Sequence, residues 1–470
     1  MLNFTPSLLM PELYMVAMLV TLFAQSLSTR WQERTGWLAP AAAGGLIVTL
    51  LSLKNSGLMF YDSYQVDNLS QFFKATVFLG LAICVLNARR IGSLGGTTRA
   101  DYFFFMAASS LGLILLASSV ELFTMYIALE LASYSLYIIL PMRNASRRAV
   151  EGAIKYALFG AVATAIGLFG ISFIIAGQHT TYLAGMAGAS WSVSTQPMAL
   201  VGLLLFILAF VYKLALFPFH FWCPDVYESA SNETAAFAAT MPKIGAVVIL
   251  VRLMTLVPGE ELRTIMAVLA ALSMTIGNLA ALNQKDLKRL LGYSSVSHAG
   301  FFVMGLTAGG AGGLAATSYY VLVYVVMNLS LFWVVNRISR NGENVVLDDL
   351  RGLHSSSPLL AFVLAVGAFA LVGLPPTGGF TGKLFLLSSA WSQGLHWLVL
   401  VAAVNTAIAI FYYLNLVRHA YAMEQSEPAV PALSNLGSAV SLALALAVLY
   451  LGLLPQVVYE YLVRASSSIM

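Results

Sequence analysis

The sequence predicts an all-α polytopic membrane protein, and two observations support this fold class. Hydrophobic residues make up 59% of the 470 residues and charged residues only 9%, with a mean hydropathy of +0.84, whereas a soluble domain carries about 25% charged residues. Apolar runs of the length that a bilayer requires recur about 14 times along the chain. The formal net charge of +4 says little about partners, because orientation depends on where the positive residues lie.

The apolar runs define about 14 predicted transmembrane spans, numbered from the N-terminus. They cover residues 8–27, 37–53, 69–86, 102–119, 122–140, 152–176, 198–217 with its broken continuation, 235–256, 264–282, 290–306, 313–335, 358–391, 397–420 and 436–453 or a little beyond. No lysine or arginine precedes span 1, so we expect it to remain in the membrane rather than to be removed as a signal peptide.

Basic residues alternate between the loops that join the spans. Loops after odd-numbered spans hold Arg30, Arg34, Arg89, Arg90, Arg99, Arg143, Arg147, Arg148, Lys285, Lys288, Arg289, Arg337, Arg340, Arg351 and Arg418. Loops after even-numbered spans hold little beyond Lys54 and Arg263. Because positive loops stay in the cytoplasm, this pattern predicts that both termini lie on the outer side of the membrane.

Span 7 combines a buried lysine with a break in the helix. Lys213 lies deep in the apolar run, Pro218 interrupts the helix shortly afterwards, and Lys243 lies well inside span 8. A charge at bilayer depth costs roughly 2.5–3.5 kcal/mol on insertion scales and marks ion paths or proton relays. A broken helix is tolerated there only where its backbone is buried in protein or lines a watery cavity. The two features together predict a transport site.

Span 12 repeats this arrangement in the segment GLPPTGGFTGK. Pro375 and Pro376 cannot continue a helix, the glycines that follow allow irregular backbone, and Lys383 comes next. The two breaks lie five spans apart, and an odd number of spans inserts the second copy of a repeat upside down. Broken helices 7 and 12 therefore predict an inverted-repeat transporter site.

The chain is predicted to consist of two inverted five-helix repeats between two terminal segments. Residues 1–100 hold spans 1–3, and residues 101–258 hold the first repeat with spans 4–8. Residues 259–422 hold the second repeat with spans 9–13, and residues 423–470 hold span 14. Residue-level similarity between the repeats is weak, so this division depends on the pattern of breaks.

A carboxylate lies near the middle of span 5. Glu130 belongs to a stripe with Tyr126, Ser133, Tyr134 and Tyr137 at helical spacing, which we expect to face the bundle rather than lipid. The alternative is an interhelical hydrogen-bonding face, for which serine and tyrosine would suffice without a carboxylate. The stripe therefore favours a functional role for Glu130.

Tyr134 of this stripe and three further ionisable residues are secondary candidates for a proton relay. Lys155 lies about one turn into span 6 and can pair locally with Glu151, or extend its ammonium to the interface. His220 lies in the break of span 7, and His298 follows a serine-rich stretch in span 10. A membrane histidine is as often a satisfied hydrogen-bonding residue as a member of a proton relay, so both readings stay open.

The sequence contains no sign of a redox or phosphate-binding site. Its two cysteines, Cys84 and Cys223, are far apart and cannot supply the about four ligands of an iron–sulfur cluster. There is no GxGxxG motif and no phosphate-binding loop. We therefore expect no metal and no cofactor in this chain, the lipid bilayer as its surroundings, and no nucleic-acid partner.

Four long segments carry a resemblance to a known family. These are YKLALFPFHFWCPDVYESAS, TMPKIGAVVILVRL, NLAALNQKDLKRLLGYSSVSHAGF and GLPPTGGFTGKLFLL. They resemble the antiporter-like membrane subunits of respiratory complex I, a proton-translocating NADH:quinone oxidoreductase, and most nearly the subunit N type, which is the mitochondrial subunit 2 equivalent. The resemblance covers spans 4 to 13. It implies a 14-helix fold with two inverted repeats and broken helices 7 and 12.

The family's functional residues carry over by motif. Glu130 matches its glutamate of helix 5, Lys213 its lysine of helix 7, Lys243 its lysine of helix 8 and Lys383 its lysine of helix 12, while His298 lies in the SSxSH segment. The lysine of helix 12 separates the chain from subunit M, where the resemblance implies a glutamate. Subunit L is expected to continue into a long lateral helix, whereas this sequence stops after span 14.

The resemblance also implies surroundings and partners. With all 14 spans expected, it favours the inner membrane of a bacterium over a plastid membrane, with the termini on the periplasmic side. The expected partners are the neighbouring subunit M and the small subunit K. Quinone, flavin and iron–sulfur clusters are expected in partner subunits, so this chain would be a non-redox subunit of the enzyme.

The implied mechanism is a proton relay at mid-membrane. Burial favours the neutral form of a lysine and a nearby carboxylate favours the charged form. Contact between Glu130 and Lys213 is expected, because each lowers the cost of burying the other. A change at Glu130 would switch Lys213 between holding and releasing a proton, which would pass through Lys243 toward Lys383.

Two other classes of function stay open. The chain is alternatively a subunit of a multisubunit cation/proton antiporter, or of a related membrane-bound hydrogenase or dehydrogenase, because these assemblies share the same helices. A non-transporting assembly scaffold is the third reading, against which the buried charges argue.

Overall fold

The structure is a computed structural model that describes residues 5–28, 31–88, 98–143, 146–189, 191, 194–256, 260–422 and 433–469. Arg30, Arg89 and Arg90 of the basic loops lie outside these residues, as do the predicted unit boundaries at 258/259 and at 423.

Within these ranges the chain is mostly helical, as predicted. The helices of the first half are α1 (Met10–Ser26), α2 (Leu38–Leu51), α3 (Asn68–Asn87), α4 (Arg99–Ser118), α5 (Leu122–Ile139), α6 (Arg147–Gln178), α7 (Leu183–Met186), α8 (Pro197–Leu214), α9 (Trp222–Ser229) and α10 (Asn232–Met254). Those of the second half are α11 (Glu260–Ala281), α12 (Leu287–Ala308), α13 (Gly310–Ile338), α14 (Leu353–Ser356), α15 (Pro358–Val372), α16 (Gly378–Ser392), α17 (His396–Tyr421), α18 (Asn435–Leu453) and α19 (Gln456–Ser467).

Eleven helices in the described part of the chain are long and apolar enough to cross a membrane, judged by length and composition. Two shorter apolar helices, α2 and α15, accompany them. Each predicted span coincides with one helix or, for spans 7 and 12, with a pair of helices. The polytopic membrane class is therefore confirmed.

Both predicted helix breaks are present. α8 ends at Leu214, Ala215 adopts a left-handed backbone with φ of 60°, and α9 begins only at Trp222. α15 ends at Val372 before Gly373, whose φ is 89°, and α16 begins at Gly378. The left-handed conformation costs an alanine roughly 1–2 kcal/mol. The break after α8 is therefore held by its surroundings rather than by local preference.

The most enclosed helices lie at the centre of the bundle. In α10 and α13, 94% of the residues in the most apolar window are buried, against 33% in α17 and α18. α10 contacts α3, α4, α8, α9, α12 and α13, so it connects the N-terminal helices with the first broken pair and with α12 and α13 of the second half. The buried charges therefore gather around α10, where lipid does not reach them.

The structure also has small elements that were not predicted, among them a hairpin and a C-terminal helix. Strands β1 (Gly57–Met59) and β2 (Tyr64–Val66) form an antiparallel hairpin between α2 and α3. The amphipathic helix α19 follows α18 and is tied back to α3, since the Tyr461 hydroxyl donates to the carbonyl of Asn68 at 2.9 Å. Neither element is long enough to produce the apolar run by which the spans were recognised.

Candidate functional site

Lys213 occupies an aromatic pocket at the end of α8. Its ammonium nitrogen donates to the Tyr137 hydroxyl at 3.3 Å and lies 5.2, 5.0 and 5.7 Å from the ring centroids of Tyr137, Tyr156 and Tyr212. The pocket is rigid, because Tyr212 donates to the carbonyl of Tyr156 at 3.0 Å. Aromatic faces stabilise an ammonium by about 0.5–2 kcal/mol each, without adding a counter-charge. The lysine is thus held by neutral groups.

The expected contact between Glu130 and Lys213 is wrong. No ion pair within 4.0 Å joins these two described residues, although the carboxylate still acts electrostatically on the lysine. Glu130 is buried, and its Oε1 has no hydrogen-bond partner among the described residues. Tyr137, two turns further along α5, takes the place beside the ammonium because the lysine reaches that level of the helix.

The polar stripe of α5 is only partly enclosed. Tyr134 is 56% exposed on the surface of the chain, which corrects the expectation that it faces the bundle. It remains close enough to interact with the Glu130 carboxylate. Ser133 is buried, but its hydroxyl donates to Leu129 within the same helix at 2.7 Å, so it forms no interhelical bond. Glu130 therefore reaches the edge of the bundle through Tyr134.

Lys243 caps the broken helix from a neighbouring helix. Its ammonium, on α10, donates to the carbonyl of Leu214 at 2.6 Å. Leu214 is the last residue of α8, and a helix end leaves its final carbonyls without helical partners. The lysine is buried, and among the described residues no carboxylate lies within ion-pair distance of it. The break and the buried lysine are thus one structural unit.

Lys383 caps the second broken helix in the same manner. Its ammonium, on α16, donates to the carbonyls of Leu371 at 3.2 Å and Val372 at 2.8 Å, the last two residues of α15. It also lies 4.5 Å from the ring centroid of Phe301. Again the partners are neutral, so the charge is solvated without being neutralised.

His298 is within electrostatic range of both lysines. Its ring lies 6.3 Å from that of Phe301, the same ring that is 4.5 Å from the Lys383 ammonium. We refer to Lys243, His298 and Lys383 as the central row. One ring nitrogen, Nδ1, is 2.8 Å from the Tyr320 hydroxyl, and Nε2 is 3.3 Å from the Tyr413 hydroxyl. Both ring nitrogens are therefore hydrogen-bonded, an arrangement that suits either of the two expected roles and holds the ring in place.

A chain of hydroxyl groups runs beside His298. The Ser295 hydroxyl is 3.2 Å from that of Tyr227 and 2.6 Å from that of Tyr324. Tyr324 donates to the carbonyl of Ala239 on α10 at 3.1 Å. Because Tyr324 gives its proton to a carbonyl, the bonds run in one sense from Tyr227 through Ser295 to Tyr324.

The remaining candidates lie away from this row. His220 is half-buried in the break after α8, with Nδ1 lacking a partner among the described residues and its ring 5.7 Å from that of Phe217. Lys155 forms the predicted pair with Glu151 at 2.9 Å and a second with Asp225 at 3.2 Å. Its side chain is 41% exposed, which fits the interfacial reading. Neither residue contacts the buried lysines.

Two buried ion pairs were missed. Lys74 pairs with Glu12 at 2.6 Å, and Tyr64 donates to the same carboxylate at 2.7 Å. Arg252 donates to both oxygens of Asp67, at 3.0 and 3.1 Å. Lys74 and Arg252 lie inside predicted spans 3 and 8. Both could therefore have been found by the criterion that identified Lys213, a charged residue within an apolar span.

Lys288 was placed wrongly among the loop residues. It is the second residue of α12, is wholly buried, and donates to the carbonyl of Ala230 at 2.6 Å. Sequence position near a positive cluster suggested a cytoplasmic loop, but α12 begins before that cluster ends. Glu233, near the start of α10, is buried as well, with Oε2 unpartnered among the described residues.

The described residues contain no group of three or more metal-ligating side chains, and both cysteines are buried and unpaired. The arrangement offers buried lysines, a carboxylate and a histidine in a row. Groups of this kind exchange protons rather than electrons.

Comparison with known proteins identifies the family. Residues 119–409 match the model of the NADH:quinone oxidoreductase/Mrp antiporter transmembrane family. The chain is 54% identical over 465 residues to NADH-quinone oxidoreductase subunit N 2 of Solidesulfovibrio magneticus, with 98% of each chain covered.

Solved structures share the whole fold. A chain of respiratory complex I from Thermus thermophilus, solved with bound aureothin, matches with a TM-score of 0.84 and 32% identity over 96% of this chain and 99% of that one. A chain of the Mrp complex from a Dietzia species matches with a TM-score of 0.89 over 99% and 98%, but at 20% identity the likeness concerns the fold alone. This chain belongs to the NADH:quinone oxidoreductase/Mrp antiporter family and within it to the antiporter-like membrane subunits of the subunit N kind.

Proposed function

We propose that this chain translocates protons as the antiporter-like subunit N of a complex I type quinone reductase, in response to quinone reduction in other subunits. The observation that carries the proposal is the row Lys243–His298–Lys383, in which each lysine caps a broken helix and has only neutral hydrogen-bond acceptors. A buried ammonium without a counter-ion is close to losing its proton, because desolvation opposes its charge.

The relay begins with Glu130 and Lys213. Their electrostatic interaction across Tyr137 allows the charge of one to bias the protonation of the other without a direct ion pair. Movement of the Glu130 carboxylate, which has a free oxygen, changes that bias. Lys243 would receive the proton next, since it binds the same broken end of α8 that follows Lys213.

The transfer from Lys243 to Lys383 passes His298 in this proposal. The histidine is hydrogen-bonded at both ring nitrogens, so it can accept a proton on one side only if a tyrosine hydroxyl reorients. Lys383 would release the proton toward the outer side. Equivalent caps on α8 and α15 support two inverted five-helix repeats within a fold of 14 spans.

The proposed orientation places the cytoplasm at the basic loops and both termini on the periplasmic side of a bacterial inner membrane. Subunits M and K are the proposed neighbours, and quinone, flavin and iron–sulfur clusters would belong to partner subunits. A cysteine introduced at the exposed position Arg340 should react with reagents applied from the cytoplasmic side. Labelling of that position only from the outside would reverse the orientation.

The cation/proton antiporter remains the alternative function. The fold match to the Mrp complex favours it only as a fold, whereas 54% identity links this chain to a subunit N. The two functions differ in what drives them. Proton movement that requires quinone reduction supports the proposal, and sodium-dependent exchange without a quinone reductase supports the antiporter.

Lys383 provides the direct test of the proposed function. Lys383→Ala should reduce proton pumping by the assembled complex about tenfold or more, and should slow quinone reduction because the two processes are coupled. Lys383→Arg should be nearly as harmful, since a guanidinium retains its proton. Pumping in vesicles, normalised to assembled complex, is the measurement. Full pumping by the alanine variant would show that Lys383 only caps the end of α15 and takes no part in proton transfer.

A further inference from the structure

A second level of buried ionisable groups lies at the first turns of α10 and α12. Lys288 is wholly buried and has one hydrogen bond, to the carbonyl of Ala230 at 2.6 Å. Glu233 is buried, and its Oε2 has no partner among the described residues. The two groups do not form an ion pair within 4.0 Å, yet each acts electrostatically on the other. They are an acid and a base held close to each other without neutralising contact.

A purely structural role explains only part of this arrangement. Lys288 fastens the link before α10 through Ala230, and Arg143 donates to the same carbonyl at 3.1 Å. That link is therefore already fixed by a guanidinium, which does not exchange protons at neutral pH. The Glu233 carboxylate has one oxygen without a partner among the described residues, and an unpartnered buried polar atom is costly. The pair has properties that fastening does not require.

An open groove of about 1010 Å³ is linked to this pair through Arg143, which lines it and donates to the same Ala230 carbonyl as Lys288. Arg143, Glu228 and Asp286 line this groove, and the same three residues act electrostatically on Lys288. The groove walls come from α6, from α9 and from the loops after α5, α11 and α13. Those loops hold basic residues assigned to the cytoplasmic side. Water in the groove thus approaches the pair from the side on which protons are taken up.

The same two helices lead from this pair to the central row. Lys243 follows Glu233 by ten residues on α10, and His298 follows Lys288 by ten residues on α12, about 15 Å along each helix. Between these levels, Ser295 of α12 is joined to α10 through the Tyr324 hydroxyl. The helices are therefore parallel here, with three successive levels of polar groups.

We propose, on the basis of the function proposed above, that Glu233 and Lys288 are the proton-loading pair of this subunit. A proton from the cytoplasmic groove binds to the pair, neutralising the carboxylate or charging the amine. It leaves along the hydroxyl groups around Ser295 toward Lys243 and His298. After each proton has passed on, the pair has the same charge as before, so no other reactant is consumed.

The test uses the whole complex in inverted membrane vesicles with four variants. Glu233→Gln and Lys288→Met each remove one titrating group. Lys288→Arg keeps the positive charge and the hydrogen-bond donor to Ala230, but a guanidinium does not release its proton. Lys54→Met, which removes an exposed lysine elsewhere, is the matched control. Proton pumping per assembled complex is measured as a function of pH on the uptake side.

The three pair variants should pump about tenfold more slowly, while the control pumps normally. In Glu233→Gln the rate should also fall more steeply as the uptake-side pH rises, because loading becomes limiting.

If Lys288→Met fails to assemble, Lys288→Arg and Glu233→Gln decide the question. Full pumping by Lys288→Arg, or an unchanged pH profile in Glu233→Gln, overturns the loading pair. If Lys383→Ala abolishes pumping while the pair variants are normal, only this proposal fails, whereas normal pumping by Lys383→Ala removes the proposed function itself.

Discussion

Buried cations occur in two regions of this protein, and their partners differ. In the N-terminal region, Lys74 lies 2.6 Å from the Glu12 carboxylate, and Arg252 bonds to both oxygens of Asp67. In the central row, Lys243 and Lys383 donate only to backbone carbonyls. All four cations are buried to a similar degree. Burial alone therefore does not distinguish the two regions.

The partner decides what a buried cation can do. A carboxylate at ion-pair distance returns much of the desolvation cost and keeps the proton on the lysine, so the pair is stable and static. A carbonyl offers a dipole without a full charge. The charged and neutral forms of the lysine are then closer in free energy, and small changes nearby can move the proton.

The two regions also differ in what they connect. The N-terminal pairs join α1 to α3 and the start of α3 to the end of α10, all of which are continuous helices. The central lysines bind the loose ends of α8 and α15, where the backbone has already left the helical path. The first set therefore joins continuous helices to each other, whereas the second set caps helix ends that the breaks leave open.

The sharpest test of this comparison places Lys243→Met beside Lys74→Met. Lys243→Met should reduce pumping per assembled complex about tenfold or more, because no proton can reside at the end of α8. Lys74→Met should leave pumping per complex nearly unchanged but lower the amount of complex, since it strands a buried carboxylate at a cost of about 3–5 kcal/mol. Pumping and complex yield are measured on the same membranes. Equal losses of pumping per complex would remove the distinction between the regions.

A smaller effect is expected when both members of the static pair are removed. Glu12→Gln with Lys74→Met leaves no uncompensated charge, and Tyr64 keeps a hydrogen-bond acceptor at position 12. The double variant should recover most of the stability that Lys74→Met loses, because replacing a buried pair as a unit is often nearly neutral. Melting temperatures of the purified complex compare the two. A double variant less stable than the single one would show that Glu12 acts independently of Lys74.

The sequence contained enough information for the helices and the row of lysines but not for their partners. Lys213, Lys243 and Lys383 stand out because charge is rare in apolar runs, and the prolines reveal the two breaks. The acceptors are backbone carbonyls of other segments, which have no signature in any sequence. Tyr137 belongs to the predicted stripe of α5, but which member of that stripe meets Lys213 depends on tertiary packing, so its place beside the lysine in preference to Glu130 was not predicted.

Residues at the margin of a sequence pattern were the hardest to judge. Lys288 and Tyr134 were misplaced for opposite reasons, one taken for a loop residue and the other for an inward-facing one. A basic cluster locates the boundary between a loop and a helix only to within about one helical turn, and Lys288 lies within that uncertainty. A polar stripe defines a face but not its width, and Tyr134 lies at its edge. Both errors arise from tertiary packing, which determines whether a residue near a boundary is covered.

The smallest predicted effect concerns the way Lys213 is held. Tyr137→Phe keeps the aromatic ring whose centroid lies 5.2 Å from the ammonium, but it removes the hydroxyl that accepts a hydrogen bond from that ammonium at 3.3 Å. A hydrogen bond to a charged group contributes about 1.5–3 kcal/mol, so pumping should fall several-fold while the complex assembles normally. Combined with Lys213→Met, the substitution should add little, because both act on one contact. Additive losses in the double variant, or normal pumping in Tyr137→Phe, would favour direct action of Glu130 on Lys213. Lys213 would then resemble the carboxylate-paired cations Lys74 and Arg252 more than the lysines of the central row.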